Sequence, residues 1–112
     1  MTGTPAGPFS LGSRTWPGLA KIAEEAGETQ QIIGKLLASG GDPEHWDGSN
    51  LRQRLEEELA DLTAAIEFVR DHNGLDVDWM AKRAAVKRER FERWHAEHLT
   101  PADSNPDDDT AA

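Results

Sequence analysis

Apolar residues recur at helical spacing along three long segments, and two glycine-bearing breaks separate them. Leu19, Ile22, Ala23, Ala26, Ile33 and Leu37 form the first stripe, widened by Ile32 and Leu36. Leu51, Leu55, Leu59, Leu62, Ile66 and Val69 form the second, and Val77, Met80, Ala81, Ala84, Phe91 and Trp94 the third. A period of about 3.6 sustained over such lengths predicts amphipathic helices, and no alternating strand pattern competes. Pro17 suits a first helical turn, so the first helix is expected over 17–38, stopped by Gly40-Gly41. Residues 39–49 read as a loop with a short turn around 43–46. Asn50, with Gln53 three residues on, resembles a capping box, and Asn73-Gly74 is a stop signal. Asp76 then caps a third helix running to about His98. The expected fold is all-α. Short loops between long helices favour an antiparallel bundle of three, a short fourth helix remaining an open option.

The 112 residues suffice for one small domain. Residues 1–15 are mostly Thr, Gly, Pro, Ser and Ala, and 100–112 carry two prolines and the Asp107-Asp108-Asp109 run. Neither stretch has the apolar surface to order itself, so a flexible arm and a disordered acidic tail are expected around a helical domain at 16–99. A core that small buries only about 60–65% of its chain surface. With no cysteine, disulfides are excluded. Association with further copies, as a homodimer or homotetramer, is the expected source of additional stability. The net charge of −9 argues against binding a nucleic-acid polymer. No apolar run approaches the roughly 18 residues of a membrane span. The first residues lack a charged-then-apolar leader pattern, and a cytoplasmic location is expected.

Two acidic clusters lie on the first two helices: Glu24-Glu25-Ala26-Gly27-Glu28 and Glu58-Leu59-Ala60-Asp61. Each carries a carboxylate pair, Glu25/Glu28 and Glu58/Asp61, three positions apart, and such positions share a helix face. Glu58 falls inside its apolar stripe between Leu55 and Leu62. Glu25 and Asp61 lie on stripe edges, and Glu28 is one step further round. Glu24 and Glu57 are intermediate, while Glu56 and Glu67 turn outward. Acidic clusters on helices are commonly solvated faces. Four carboxylates facing one another across two helices would instead require a cation, because each repels and desolvates the others. Oxygen-only ligands favour a hard ion such as Mg²⁺ or Mn²⁺.

Glu-Glu-x-x-Glu on one helix followed by Glu-x-x-Asp on the next resembles the signature of the all-α nucleoside triphosphate pyrophosphohydrolases, and the chain looks most like the small MazG-like members. The resemblance spans residues 16–98. It implies that Glu25, Glu28, Glu58 and Asp61 coordinate Mg²⁺, Mn²⁺ being an alternative, and that Glu24 is a candidate base for the attacking water. It implies cleavage of a (deoxy)nucleoside triphosphate to monophosphate and pyrophosphate. Phosphoribosyl-ATP pyrophosphohydrolase shares the carboxylate arrangement and is an alternative reading. A non-catalytic acidic helical interaction module is another. The spacer holding Gly40-Gly41 and Trp46 is long for the family, and the family's asparagine-containing motif near the end of the last helix is not evident.

Six of the twelve Lys and Arg fall between residues 82 and 93. Lys87 and Arg88 straddle the apolar face of the third helix and are candidates for charge-assisted contacts to phosphate. The competing reading is that they snorkel and pair with neighbouring acids. Lys35 is a further candidate. Trp46, outside the helices, offers a ring on which a base can stack; Trp79 and Trp94 are expected to pack in the core or between subunits. His95 and His98, without a cysteine or acid pair nearby, read as surface residues rather than a zinc site.

Overall fold

The computed structural model describes residues 7–99. These form three helices, α1 (Leu19–Ala38), α2 (Leu51–His72) and α3 (Val77–His98). Among the described residues the only strand-like pairing is an isolated antiparallel bridge, Glu44 to Asn50. The flanking 1–6 and 100–112, including the expected acidic tail, lie outside the described residues. The chain divides into two units, one ending at Leu75 and one beginning at Asp76. Among the described residues no helix is long and apolar enough to cross a membrane.

In the first unit α1 and α2 form an antiparallel hairpin. Asn73 Nδ2 donates to the Pro17 carbonyl at 3.0 Å, joining the start of α1 to the end of α2. Thr29 faces Glu58 midway along. The buried side chains are Ile32, Leu51, Ala65 and Val69, together with Glu25 and Thr29. This differs from the expected stripes. Leu19, Ala23, Ala26, Ile33 and Leu37 are exposed, and so are Leu59 and Ile66. α1 is apolar on more of its circumference than one neighbouring helix can cover, and α2 covers the side that carries Glu25, Thr29 and Ile32. The two acid-bearing faces therefore meet, while this pairing leaves much apolar surface of α1 and α2 uncovered.

The caps explain most boundaries. Asn50 Oδ1 accepts from the Gln53 amide at 2.9 Å, and Asp76 Oδ1 accepts from the Trp79 amide at 2.9 Å, each satisfying an otherwise unpaired first-turn donor. Gly40 and Gly41 take positive φ after α1, as does Gly74 after α2. α1 begins two residues later than Pro17 suggested, because Gly18 adopts φ 84 and contributes no side-chain cap. Residues 7–18 supply the cap instead. This part of the expected flexible arm folds into turns, in which the Phe9 amide donates to Thr15 O at 2.9 Å. Ser10 O accepts from the Gly18 amide at 3.1 Å, and Phe9 O from Ala20 at 2.9 Å. This strap holds Phe9 and Trp16 at φ 73 and 45, a left-handed conformation that costs a non-glycine residue about 1–2 kcal/mol.

The second unit's described part is α3 and its cap. None of its residues is buried. Val77, Ala81, Ala84, Phe91 and Trp94 of the expected inner face are exposed, Met80 is half-buried, and Trp79 is exposed. A helix of about this length is only marginal without tertiary burial.

Candidate metal centre

Glu25 is only 7% exposed, Glu58 is half-buried and Asp61 exposed. One carboxylate oxygen from each lies within 4.8 Å of the others. The helix pairing explains the convergence: Glu25 and Glu58 occupy the buried seam, and Asp61 follows one helical turn after Glu58. Thr29, one turn after Glu25, knits the same region. Its hydroxyl donates to Glu25 O at 2.9 Å and lies 3.4 Å from Glu58 O, so a small β-branched residue stands where the helices come close.

Two oxygens in this cluster, Glu25 Oε2 and Glu58 Oε2, are buried without a hydrogen-bond partner among the described residues. An orphaned buried carboxylate oxygen is costly, and two from facing helices are costlier still. Glu28, the fourth expected ligand, is half-buried and is not among the three carboxylates that converge, although it senses Glu58, Glu24 and Glu25. Its carboxyl is held above the ordinary carboxylate range, first by sharing a proton with Glu58, then by desolvation and by repulsion from Glu58 and Glu24, while a hydrogen bond involving Glu25 acts the other way. This is how acidic groups behave when crowded without a countercharge. A donor set made only of carboxylate oxygens, two of them lacking protein partners, fits a hard divalent cation.

Lys21 closes one side. Its Nζ lies 3.4 Å from Glu24 Oε2 and 3.4 Å from Glu25 Oε1. The Glu24 charge, and then hydrogen bonding to both carboxylates, raises its pKa. Lys21 thus takes up one oxygen of Glu25 and leaves the other unpaired. Glu24, the expected proton acceptor, is exposed and outside the converging three. Beside these groups opens a recess of about 270 Å³ whose lining runs from Leu11, Ala64 and Phe68 onto Lys21, Glu25 and Asp61.

Of the remaining expected site residues, Lys35 and Trp46 lie elsewhere in the first unit than this cluster. Lys35 is half-buried on α1, about 15 Å further along the axis than Glu25. Trp46 lies in the α1–α2 connection, 90% exposed, its ring tilted against His45 with 5.6 Å between centroids. Lys87 and Arg88 belong to the second unit. There Lys87 Nζ sits over the Phe91 and Trp94 rings at 5.2 and 5.8 Å, and Arg88 pairs with Glu92 at 2.9 Å. Sequence reasoning missed Lys21, Leu11 and Phe68. Lys21 was signalled by its place four residues before Glu25, and Phe68 by its place two turns beyond Asp61. Leu11 gave no signal, because it reaches the site only when the strap folds back. Comparison with known proteins leaves this geometry to speak for itself: no protein-family model, curated protein or solved structure matches the chain.

Proposed function

We propose that this chain is a Mg²⁺-dependent nucleotide pyrophosphohydrolase, hydrolysing a (deoxy)nucleoside triphosphate to its monophosphate and pyrophosphate. The observation that carries this reading is the meeting of Glu25, Glu58 and Asp61 within 4.8 Å, with a buried unpartnered oxygen on both Glu25 and Glu58. The two helices involved are those whose sequences resemble the pyrophosphohydrolase signature. In this reading Glu25, Glu28, Glu58 and Asp61 hold the cation, with Mn²⁺ able to replace Mg²⁺. When bound, such an ion neutralises phosphate oxygens and lowers the pKa of coordinated water.

The chain's own groups do the rest. Glu25, fixed in the helix seam, and the half-buried Glu58 set the inner side of the site. Asp61, exposed, lies at its solvent edge, where a phosphate can approach. Glu24 takes the proton of the attacking water, positioned by Lys21 at 3.4 Å. By the same resemblance, Lys87 and Arg88 are candidates for balancing charge on the leaving pyrophosphate. The uncovered apolar residues of α1, α2 and α3 support assembly as a homodimer or homotetramer.

The deciding experiment incubates purified protein with a panel of nucleoside and deoxynucleoside triphosphates and phosphoribosyl-ATP, with Mg²⁺, Mn²⁺ or a chelator. Monophosphate and pyrophosphate should appear only with the metal, and Glu58→Gln should bring release to background while circular dichroism stays helical. Release of inorganic phosphate instead, or no product from any member, would sink the proposal. Turnover of phosphoribosyl-ATP alone would favour the alternative enzyme.

A further inference from the structure

The recess beside the carboxylates has a composition that suggests how it would select a ligand. Leu11 from the strap, Gly18, Ala64, Ala65 and Phe68 line it, and the lining continues onto Lys21, Glu25 and Asp61. Phe68 is held from two sides. Its ring stacks on His72 with 4.0 Å between centroids and 19° between planes. On another side it lies so close to Gly18 that a Cβ there would meet Phe68 Cδ1 at 2.7 Å. The ring is therefore a fixed wall. Ala64 and Ala65 leave the space that larger side chains would fill.

The volume, about 270 Å³, suits one ring system. An apolar cavity of about 150 Å³ holds benzene, and whole drug-sized ligands take roughly 300–1,000 Å³. None of the lining residues is Asn, Gln, Ser, Thr or Tyr, the types that read the polar edge of a heterocycle. The one cationic donor, Lys21, already faces Glu24 and Glu25 at 3.4 Å. An apolar pocket separates ligands of similar size by only about 10–200-fold, whereas hydrogen-bonding sites reach about 10⁴–10⁵.

We infer that this recess seats the ring of a ligand whose phosphates reach the carboxylates, and that it selects by ring size rather than by hydrogen-bonding edge. The inference rests on the nucleotide reading above. Leu11, Ala64 and Phe68 are then the residues that determine specificity, and bases of equal size are accepted alike.

Isothermal titration of the full chain with Mg²⁺ tests this with three probes: inorganic tripolyphosphate and the non-hydrolysable α,β-imido analogues of deoxyuridine and deoxycytidine triphosphate. The two analogues should bind within about tenfold of each other, and each at least about tenfold more tightly than tripolyphosphate. Ala64→Leu, at an exposed helical position, should remove the analogues' advantage and leave tripolyphosphate binding intact. Leu11→Ala, which opens the wall, should weaken the analogues alone. Equal affinity for tripolyphosphate and both analogues would overturn the inference and spare the phosphate site. So would discrimination between the two bases beyond about 10³-fold, or an Ala64→Leu protein that binds like wild type. Failure of all three probes to bind would overturn the parent reading as well.

Discussion

Glu25→Gln isolates what the buried carboxylate contributes. The substitution keeps the shape of a side chain that is 7% exposed and removes its charge. Two effects oppose each other in metal-free protein. The ion pair with Lys21, at 3.4 Å with the lysine side chain 41% exposed, is screened by solvent and contributes little. The unpartnered Oε2 costs about 1–3 kcal/mol or more, being charged. The second effect is larger, so metal-free Glu25→Gln should be at least as stable as wild type. With cation the order reverses. An ion at a hundredfold excess over its Kd adds about 2.7 kcal/mol to a folded state that alone binds it. For a domain this small each kcal/mol moves the melting temperature roughly 4–8 °C. Wild type should therefore gain about 10–20 °C between chelator and saturating Mg²⁺, and Glu25→Gln less than about 5 °C. Thermal melts followed by circular dichroism read both numbers. Equal gains in the two proteins, or no gain in wild type, would refute the reasoning. So would a metal-free variant clearly less stable than wild type.

The Glu28 carboxyl gives a pH signature. Its folded pKa lies above its ordinary value of 4.5, so the stability it contributes is present below that value and is lost as pH rises through the folded pKa. Metal-free wild type should lose stability relative to Glu28→Gln across that window and show a constant difference above it, as chemical denaturation at stepped pH would reveal. Assembly is testable on α3: Phe91→Glu or Trp94→Glu, at residues 52% and 45% exposed, should convert a homo-oligomer to monomer in sedimentation equilibrium without loss of helix in α1 and α2. A wild-type monomer at micromolar concentration would contradict the expectation.

The helices were legible because caps and stops are local. Asn50, Asp76, Gly40-Gly41 and Asn73-Gly74 each act within a turn of their own position, and they fall where the spacing placed them. The start of α1 was less legible, since it depends on strap carbonyls from Phe9 and Ser10 reaching back to Gly18 and Ala20. Which face of α1 is buried was also hidden. The apolar residues cover more than one side, and only the pairing with α2 selects the one bearing Glu25. Glu58 was readable because a carboxylate between Leu55 and Leu62 breaks an apolar stripe. Lys21 has only its spacing from Glu25 to single it out among the charges of α1, and Leu11 reaches the site only through the fold of the strap. Charge and spacing alone single out Lys87 and Arg88; their partners within α3 are Phe91, Trp94 and Glu92.

The proposed function requires that Glu25, Glu58 and Asp61 form a divalent-cation centre. Crystals grown with Mn²⁺ and measured at an energy that gives manganese anomalous signal test it directly. An anomalous peak should lie between α1 and α2 within about 2.0–2.3 Å of oxygens from Glu25 and Glu58, and be lost in Glu58→Gln. No peak at that position at millimolar Mn²⁺, with these carboxylates splayed apart or paired to protein cations instead, would contradict it.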